Sequence, residues 1–574
     1  MRIVLVNWAK IWDGAVNGGG VNGYCQALAI ELLKLGHEVV SLVSGTSFVP
    51  LQVLGEHTGP AEPGPCTIRR HPDWLGVKVF EVINSPVVAP SAQQFAGPDA
   101  ERSAPELETL IENFLRDLRP DLVHFHNIEG FSAGCVHAAK RAGARTIYSL
   151  HNYHTICPQT YLMRGHRSPC FDHQNGHACV GCMEAPDPAA VRRASAGQYA
   201  GQYAATMLQG HAAPPQPQHF QSAPVSRTPT WAKLGEEFVN LLQGEPPAPP
   251  SPAAPKPFAV PLPGAAVADV NRPWSMDDDH RGITDYFTGK TGIPAIPGPD
   301  HPEWIPLAND VPPEPTHATP PNAYGQRRLS MVEMLNSCDR VLAVSDFVRR
   351  RFVAAGVRED RISTMHIGTM MNTIVKRHAD LLWDPPAFDP ARPRPITLVF
   401  IGFNSFYKGL HMFADALELL TPEYLQHLHI FLYATGHNFD WRFRRFEHRL
   451  AGLTTHPGYG AWDVPWIMGG KDLAIVPSVW WDNAPQTVFE ALACGVPVLG
   501  ANLGGIPDFV KDGHNGLLFR GNNRFDLARV LAGVIRNPRQ LETLRRNVRP
   551  PKDIADHAGE LSRLYQECVS SPPG

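Results

Sequence analysis

The 574-residue sequence lacks any apolar run of the roughly 20 residues that a membrane-crossing helix needs. Its first residues, MRIVLVNW, also lack the longer apolar region and small-residue cleavage site of a secretory signal peptide. They predict a buried first strand instead. From these absences we expect a cytoplasmic protein.

An excess of one charge is lacking too. The formal net charge is −4 at pH 7, which gives no sign of nucleic-acid binding. Without a secretory leader, the ten cysteines are expected to be reduced thiols or metal ligands rather than a disulfide framework. What the chain has in quantity is length and 56 prolines, and its length predicts two domains.

The most informative stretch is IVPSVWWDNAPQTVFEALACGVPVLGANLGGIPD, from Ile475 to Asp508. It predicts a short strand ending at Val476, a loop that carries Asp482, a helix over about 485–494 and a second buried strand, VPVLG. Strand, helix and strand in this order indicate a parallel crossover.

The start of that helix has the character of an anion site. The backbone amides of Gln486, Thr487 and Val488 belong to the first turn and have no partner within a helix. Glu490 follows Thr487 by three residues and shares its face, so it points toward whatever the helix start binds.

Together these residues form D-x7-E (Asp482 and Glu490), followed by EALACGVPV and GGIPD. The pattern resembles the donor-sugar motif of retaining glycosyltransferases of family 4, which reads E-x7-E and then EA-x-A-x-G-x-PV. The resemblance implies transfer of a sugar from a nucleotide-sugar donor, with retention at the anomeric carbon and no cofactor in the chemistry. An ordinary crossover with one loop acid and one helix acid is the alternative.

The resemblance also implies roles for individual residues. Glu490 would accept the two ribose hydroxyls, and Asp482 a hydroxyl of the donor sugar. Lys408, in the loop after the strand ITLVFIGF, would contact the donor diphosphate. The family usually has an arginine where this chain has Phe403, so the usual pair of cations is incomplete.

The family fold is GT-B, an α/β architecture of two facing doubly wound Rossmann-like domains, here with a proline-rich, mostly disordered insertion in the first. We divide the chain into a first domain over 1–185 and 321–375, the insertion over 186–320, a linker over 376–394, a nucleotide-sugar domain over 395–545, and a terminal helix over 546–574 that crosses back to the first domain. Asp277, Asp278 and Asp279, inside the insertion, resemble a metal-binding D-x-D motif, but no apolar strand precedes them, and solvated acids are the better interpretation.

A glycine-rich loop, NGGGVNG, follows the first strand. The resemblance implies that it faces the cleft, where Gly18, Gly19 and Gly20 let a diphosphate or acceptor approach the backbone. A dinucleotide fingerprint is the alternative, but the glycines come about ten residues after the strand, and the second strand ends without the ribose-binding acid.

The strand DLVHFH ends in two histidines on the same side. The resemblance implies that His126 lies in the cleft near the donor sugar and acceptor, and we count it among the catalytic residues, whereas His124 is a core histidine. A metal site built on these two histidines is the weaker alternative. His151 and Asn152 stand where the family usually has His-Asp.

Four cysteines follow, spaced C-x12-C-x8-C-x2-C: Cys157, Cys170, Cys179 and Cys182. Four soft ligands that end in C-x2-C suit a closed, structural zinc site. Free thiols and disulfides remain open alternatives.

The acceptor is not identified by the residues. By analogy with envelope-building family members, we expect a glycan or lipid-linked acceptor, a role in polysaccharide biosynthesis and peripheral association with the inner face of the membrane. A degenerate copy that only binds a glycan or a partner is the competing hypothesis, motivated by Phe403 and by the aspartate at 482.

Overall fold

The computed structural model describes residues 1–14, 18–50, 61–90, 97–165, 168–182, 187–208, 311, 313–435 and 441–571. Within them, two separate sheets, one built from strands between residues 2 and 364 and one from strands between 396 and 520, form the centres of two α/β domains. The expected fold class, two doubly wound domains with parallel sheets, is confirmed.

The first sheet has eight strands in the order β10-β9-β6-β5-β1-β2-β4-β3, all parallel except the edge strand β3. Its strands are β1 (Arg2–Val6), β2 (Glu38–Val43), β3 (Thr67–Arg70), β4 (Lys78–Ile83), β5 (Leu122–Phe125), β6 (Arg145–Leu150), β9 (Arg340–Ala343) and β10 (Ile362–Thr364). A separate small hairpin pairs β7 (Met163–Arg164) with β8 (Ser168–Pro169). The central strands are buried along almost their whole length because helices cover both faces of the sheet.

The helices of this half follow from their apolar spacing and their caps. They are α1 (Gly19–Lys34), α2 (Pro98–Arg102), α3 (Pro105–Leu118), α4 (Gly134–Arg141), α5 (Pro188–Leu208), α6 (Ala323–Ser337), α7 (Asp346–Ala354) and α8 (Met371–Arg377). In α3, a proline opens the helix, and Leu107, Ile111 and Leu115 recur every four residues and are buried on one face.

The second sheet has six parallel strands in the order β13-β12-β11-β14-β15-β16. They are β11 (Ile396–Phe403), β12 (Leu428–Thr435), β13 (Gly452–His456), β14 (Leu473–Val476), β15 (Val498–Asn502) and β16 (Gly516–Arg520). The helices are α9 (Leu410–Leu417), α10 (Pro422–Leu425), α11 (Trp441–Arg444), α12 (Val464–Met468), α13 (Gln486–Ala493), α14 (Ile506–Phe509), α15 (Arg524–Arg536), α16 (Gln540–Asn547) and α17 (Ile554–Ser570).

Each sheet has one point where the strand order reverses. In the first sheet, β1 lies between β2 and β5, and in the second, β11 lies between β12 and β14. The loops at the carboxyl ends of such neighbouring strands diverge and leave a crevice in which α/β proteins bind ligands. The loops after β11 and β14 carry Lys408 and Asp482, and His126 directly follows β5.

The last helix returns to the first domain. Helix α17 packs on α1, and its polar contacts are buried: the Tyr24 hydroxyl lies 2.7 Å from His557 Nε2, and His37 Nε2 lies 2.7 Å from the Ser562 hydroxyl. The chain therefore fastens the second domain to the first through a hydrogen-bonded helix rather than through the linker alone.

The two ends of the proline-rich segment are structured. Helix α5 occupies its start, and at its far end Glu314 lies against Arg328, Arg351 and His173. The D-x-D acids at 277–279 lie outside the described residues, as does most of the segment assigned to the insertion.

Among the helices in the described part of the chain, none combines the length and the apolar character needed to cross a bilayer.

Candidate active site

Lys408 and Asp482 form the centre of the site. Lys408 ends a 3-10 turn after β11, and its ammonium lies 2.8 Å from Asp482 Oδ2 in the loop after β14. The side chain of Asp482 is 8% exposed and that of Lys408 is 26% exposed, so the lysine is the partner that solvent reaches. Gly409 allows this approach, because a Cβ there would collide with the Pro477 carbonyl.

Helix α13 begins beside this pair. Pro485 caps it in an extended conformation, and Gly495 follows its end with φ +72°. Within the described residues, the amides of Gln486 and Thr487 have no hydrogen-bond partner, as the sequence predicts. The prediction is wrong for Val488, whose N–H donates to the Pro485 carbonyl over 3.1 Å. Two amides rather than three are thus available to an anion.

Glu490 lies one turn into the same helix, and Tyr459 Oη donates a hydrogen bond of 3.4 Å to its Oε2. Burial raises the pKa of Glu490 to about 7, while the tyrosine hydroxyl and the charge of Lys408 oppose the rise. A carboxylate that ionises near neutrality, with one donor from the protein, has acceptor capacity left for a ligand's hydroxyls.

The glycine-rich loop meets this helix across the cleft. A Cβ added to Gly20 would lie 3.2 Å from Gln486 Cγ, so the missing side chain lets α1 and α13 start next to each other. Gly18 caps α1, and Gly19 has φ +57° with nothing within 4 Å of its Cβ position. The structure therefore brings the glycines to the amides of α13, as expected for a shared binding surface.

The first domain contributes a wall of buried histidines. His126 is 1% exposed, its Nδ1 lies 3.2 Å from His151 Nε2, and its Nε2 has no partner among the described residues. Asn483, directly after Asp482, donates to the His151 carbonyl over 2.8 Å. This contact places His151, and through it His126, beside the loop that carries the acid.

His124 is a core residue, as the sequence predicts. Its Nδ1 lies 2.6 Å from the Tyr565 hydroxyl of α17, and its Nε2 lies 2.8 Å from the Ser149 hydroxyl. Burial lowers the pKa of His124 and His126 well below the usual histidine value, and the neighbouring imidazoles lower them further. The wall is therefore uncharged at neutral pH.

Sequence reasoning missed the aromatic lining of the site. Tyr161 stacks on Tyr407 with ring centroids 4.1 Å apart, and both contact Trp480 edge-on. Trp480, Trp481 and Tyr407 sit within two residues of Asp482 or Lys408, so inspecting the neighbours of the charged pair could have found them. No sequence pattern identifies Tyr459 as a site residue, because it is far from Glu490 in sequence and only the fold brings the two together.

Phe403 ends β11 where the family has arginine, and it is 58% exposed. Gly402, just before it, lies beside Thr487, since a Cβ there would be 4.0 Å from the Thr487 methyl. Among the described residues, Lys408 is the one cation that forms an ion pair with Asp482. The site thus has one cation at the position where the family pattern places two.

All ten cysteines are unpaired, so the disulfide alternative is not observed. The four cysteines of the loop share one neighbourhood: burial raises the pKa of Cys179 to about 12, and the charges of Cys157, Cys170 and Cys182 add to the rise. Their sulfurs are less close than metal ligands, since no three of them lie within 4.8 Å of one another. Four thiols in one loop suit zinc by their chemistry, and the structural zinc stays a prediction.

The cysteine loop has a second source of order. Asp172 pairs with His317 at 2.8 Å, and the Asn175 amide donates to the Thr319 carbonyl over 2.8 Å. These partners belong to the far end of the proline-rich segment, which was predicted not to pack. These contacts would order the loop together with the predicted metal.

Among the described residues, one set of three ligand-type side chains does lie within 4.8 Å: Asp346, His366 and Asp508. The Oδ2 atom of Asp508 already accepts the Asp346 N–H over 2.6 Å and lies 3.2 Å from His366 Nε2. The set is hydrogen-bonded within itself, and we assign no ion to it.

Comparison with known proteins gives two family matches. The model described as "Glycosyl transferases group 1" matches residues 387–550, and that described as "Glycosyl transferase 4-like domain" matches residues 19–196. The two matches lie in different domains. The group 1 match lies in the second domain and contains Lys408, Asp482 and Glu490.

Individual relatives match shorter stretches. A D-inositol 3-phosphate glycosyltransferase of Streptomyces bingchenggensis is 47% identical over 55 residues, which are 10% of this chain and 12% of that protein. Spore coat protein SA of Bacillus subtilis is 25% identical over 128 residues, 21% of this chain and 34% of that protein. The chain thus spans well under two thirds of the length of these curated relatives.

Among solved structures, sucrose-phosphate synthase from Thermosynechococcus elongatus is similar with a TM-score of 0.50 and 11% identity, covering 100% of both chains. At this identity the likeness concerns the fold alone. It agrees with the two facing domains described above.

Proposed function

We propose that the chain transfers a sugar from a nucleotide-sugar donor to an acceptor hydroxyl, with retention at the anomeric carbon, and its matches to two glycosyl transferase family models support this proposal. The observation that carries the proposal is the contact between Lys408 and Asp482 at the start of α13, with Glu490 on the same helix. A cation, two free amides and two carboxylates meet at the switch point of the second sheet.

The donor's diphosphate matches the positive end of this arrangement. As the bond to the anomeric carbon breaks, negative charge grows on the leaving phosphate, and Lys408 with the amides of Gln486 and Thr487 stabilises it. Because these groups are fixed before the reaction, they need no reorganisation when the charge develops. Lys408 already faces Asp482, so the donor arrives between two groups that partly neutralise each other.

The carboxylates orient the two ends of the donor. Glu490 accepts the ribose hydroxyls in its ionised form, and Asp482 accepts a hydroxyl of the transferred sugar. Neither has to act as a base, since the departing phosphate oxygen can take the acceptor's proton. His126 faces the same region with a neutral ring, and its unpartnered Nε2 suits a hydrogen bond to the sugar or the acceptor.

The acceptor site belongs to the first domain, whose loops after β1 and β5 face the donor loops. A glycan or lipid-linked acceptor is in keeping with the aromatic lining formed by Tyr161, Tyr407 and Trp480, since sugar rings pack against aromatic faces. We place the reaction in the cytoplasm, where nucleotide-sugars are made and where ten unpaired thiols stay reduced.

The experiment is a panel of UDP-, GDP- and ADP-linked sugars incubated with the full-length protein. Slow release of the nucleoside diphosphate from one donor, without acceptor, is expected, and Asp482→Asn should abolish it. Asp512→Asn, a change of another second-domain aspartate outside the site, is the matched control. With an acceptor identified, proton NMR of the product at early times should show the donor's anomeric configuration. A product of opposite configuration would contradict retention, and absence of release from every donor would contradict the transferase.

A further inference from the structure

Asp508 closes the GGIPD motif, to which the proposed chemistry assigns no role. It lies on α14 of the second domain, but both of its polar contacts are with the first domain. Its Oδ2 accepts the backbone N–H of Asp346 over 2.6 Å and lies 3.2 Å from His366 Nε2. A single carboxylate oxygen therefore bridges the two domains.

The partner of this oxygen is the start of helix α7. Asp346 is the first residue of α7, and its N–H has no acceptor within the helix. A carboxylate there satisfies the amide and is stabilised by the positive end of the helix dipole. The carboxylate of Asp346 accepts a hydrogen bond from the Thr364 hydroxyl over 2.6 Å, so the second aspartate of the cluster has a different donor.

The two glycines before Asp508 link this contact to the candidate active site. Gly504 has φ +57°, and a Cβ on it would collide with the backbone of Asp482. Gly505 donates its N–H to the Asp482 carbonyl over 2.7 Å, and a Cβ on it would lie 2.9 Å from that of Ser345 in the first domain. The same turn thus touches the sugar-binding acid on one side and the N-cap of α7 on the other.

We propose that Asp508 is a positioning residue that holds the two domains closed and thereby fixes Asp482 opposite Lys408. The role of closure in transfer rests on the proposed function, whereas the contact itself does not. When the carboxylate binds the start of α7, Gly505 is drawn against Ser345, and the backbone of Asp482 is held from behind. When the Asp508 carboxylate separates from the start of α7, the turn of Gly504 and Gly505 leaves the first domain, and the loop of Asp482 loses that support.

The test compares Asp508→Ala, Asp508→Asn and the control Asp556→Ala, which removes an exposed acid from α17. Small-angle scattering of the free protein measures domain opening without any need for activity. In Asp508→Ala we expect a larger radius of gyration and about tenfold lower kcat/KM, the loss typical of one charge-assisted hydrogen bond. Asp508→Asn keeps an oxygen that can accept the Asp346 N–H, so it should restore both values most of the way. The control should match the wild type.

An unchanged radius of gyration in Asp508→Ala overturns the proposal that Asp508 holds the two domains closed, whatever happens to activity. If the radius of gyration of Asp508→Ala grows but the wild-type protein transfers no sugar, the role of Asp508 in domain closure is supported and the proposed function is contradicted. Thermal unfolding of each variant shows whether it folds. If Asp508→Ala does not fold, His366→Ala removes the other first-domain partner of the same oxygen, and an unchanged radius of gyration in that variant overturns the proposal.

Discussion

The two walls of the cleft differ in charge: the wall formed by the second domain is charged, and the wall formed by the first domain is neutral. The second-domain wall carries charge, with Lys408 and Asp482 2.8 Å apart and Glu490 one turn into the adjoining helix. The first-domain wall holds His126, buried and kept neutral among its neighbours. A charged pair that faces an uncharged wall can exchange partners with an incoming anion, whereas a second charged wall would compete for that anion.

The difference has a structural origin. Lys408 and Asp482 stand on loops at the switch point of the second sheet, and Glu490 stands on the helix that begins there. His124 and His126 stand at the end of β5, and α17 covers them. The Tyr565 hydroxyl of α17 lies 2.6 Å from His124 Nδ1, and His557 of the same helix lies 2.7 Å from the Tyr24 hydroxyl. The first wall is therefore rigid and hydrogen-bonded, and the chemistry is concentrated on the second.

The largest effect is expected from Lys408→Ala. It removes the cation that pairs with Asp482, and turnover should fall about 100-fold or more while donor affinity changes less, because the charge matters most as the phosphate leaves. Steady-state kinetics and donor titration separate the two quantities. Lys511→Ala, which removes an exposed lysine of the same domain, should behave like the wild type. Unchanged turnover in Lys408→Ala would place the cation elsewhere and end the contrast between the walls.

The next effect is expected from Glu490→Ala, which should weaken donor binding by about 2 kcal/mol, roughly 30-fold, through lost hydrogen bonds to a charged acceptor. In the wild type, the pKa of about 7 has a consequence of its own. The folded protein protonates Glu490 as pH falls through 7, so donor affinity should be full above that pH and decrease below it. Calorimetric titration at pH 6, 7 and 8 measures this, and affinity independent of pH would contradict the role of the ionised carboxylate.

On the first wall, we expect pH to act on stability. Burial lowers the pKa of His557 to about 3, and Lys552 and His151 add to the shift. The unfolded chain takes up a proton near pH 6.5 that the folded protein refuses, so this stability is full above 6.5 and is lost as pH falls toward 3. At pH 5 the loss is about 2 kcal/mol for one such group.

His557→Gln tests this directly. The melting temperature of the variant should fall less than that of the wild type between pH 7 and pH 5, while donor affinity stays the same at pH 7. His448→Gln, on an exposed histidine of the second domain, is the control and should keep the wild-type slope. A variant with the full wild-type slope would show that His557 is not the group that is kept neutral.

More of the second-domain side of the cleft than of the first-domain side could be predicted from the sequence. The crossover over 473–502, Lys408 and the D-x7-E acids are local patterns, and the fold places them together as expected. The partner of Glu490 could not be predicted, because Tyr459 follows the edge strand β13 and only the fold of the sheet brings it to α13. The free amide expected at Val488 was lost to a turn bond with Pro485, a detail of φ and ψ that no residue pattern encodes.

The first wall depended on contacts between distant parts of the chain. His124 meets Tyr565 across 441 residues, and the end of the proline-rich segment packs on the cysteine loop through Asp172 and His317. Proline density argued against packing there, but the described residues at the far end of the segment contribute charges and carbonyls to the contacts. A proline-rich composition therefore does not exclude contacts with the packed part of the chain.

The smallest effect on the chemistry is expected from the cysteine loop, which lies on the first wall. Cys179→Ser with Cys182→Ser should lose a bound zinc, if the thiols hold one, and should lower the melting temperature, because two of the four ligands disappear. Donor affinity should not change, since the donor groups stand on the other domain. Cys25→Ser with Cys568→Ser, which changes two thiols outside the loop, controls for the loss of thiols as such.

Elemental analysis of protein purified without added metal should find close to one zinc per chain. Wild-type protein without zinc and with unchanged stability would leave four ordinary thiols, ordered by the contacts of Asp172 and Asn175 alone. A fall in donor affinity in the double variant would be the more instructive failure. It would show that the loop reaches the donor through Tyr161, which stacks on Tyr407 next to Lys408, so that the two walls act as one site.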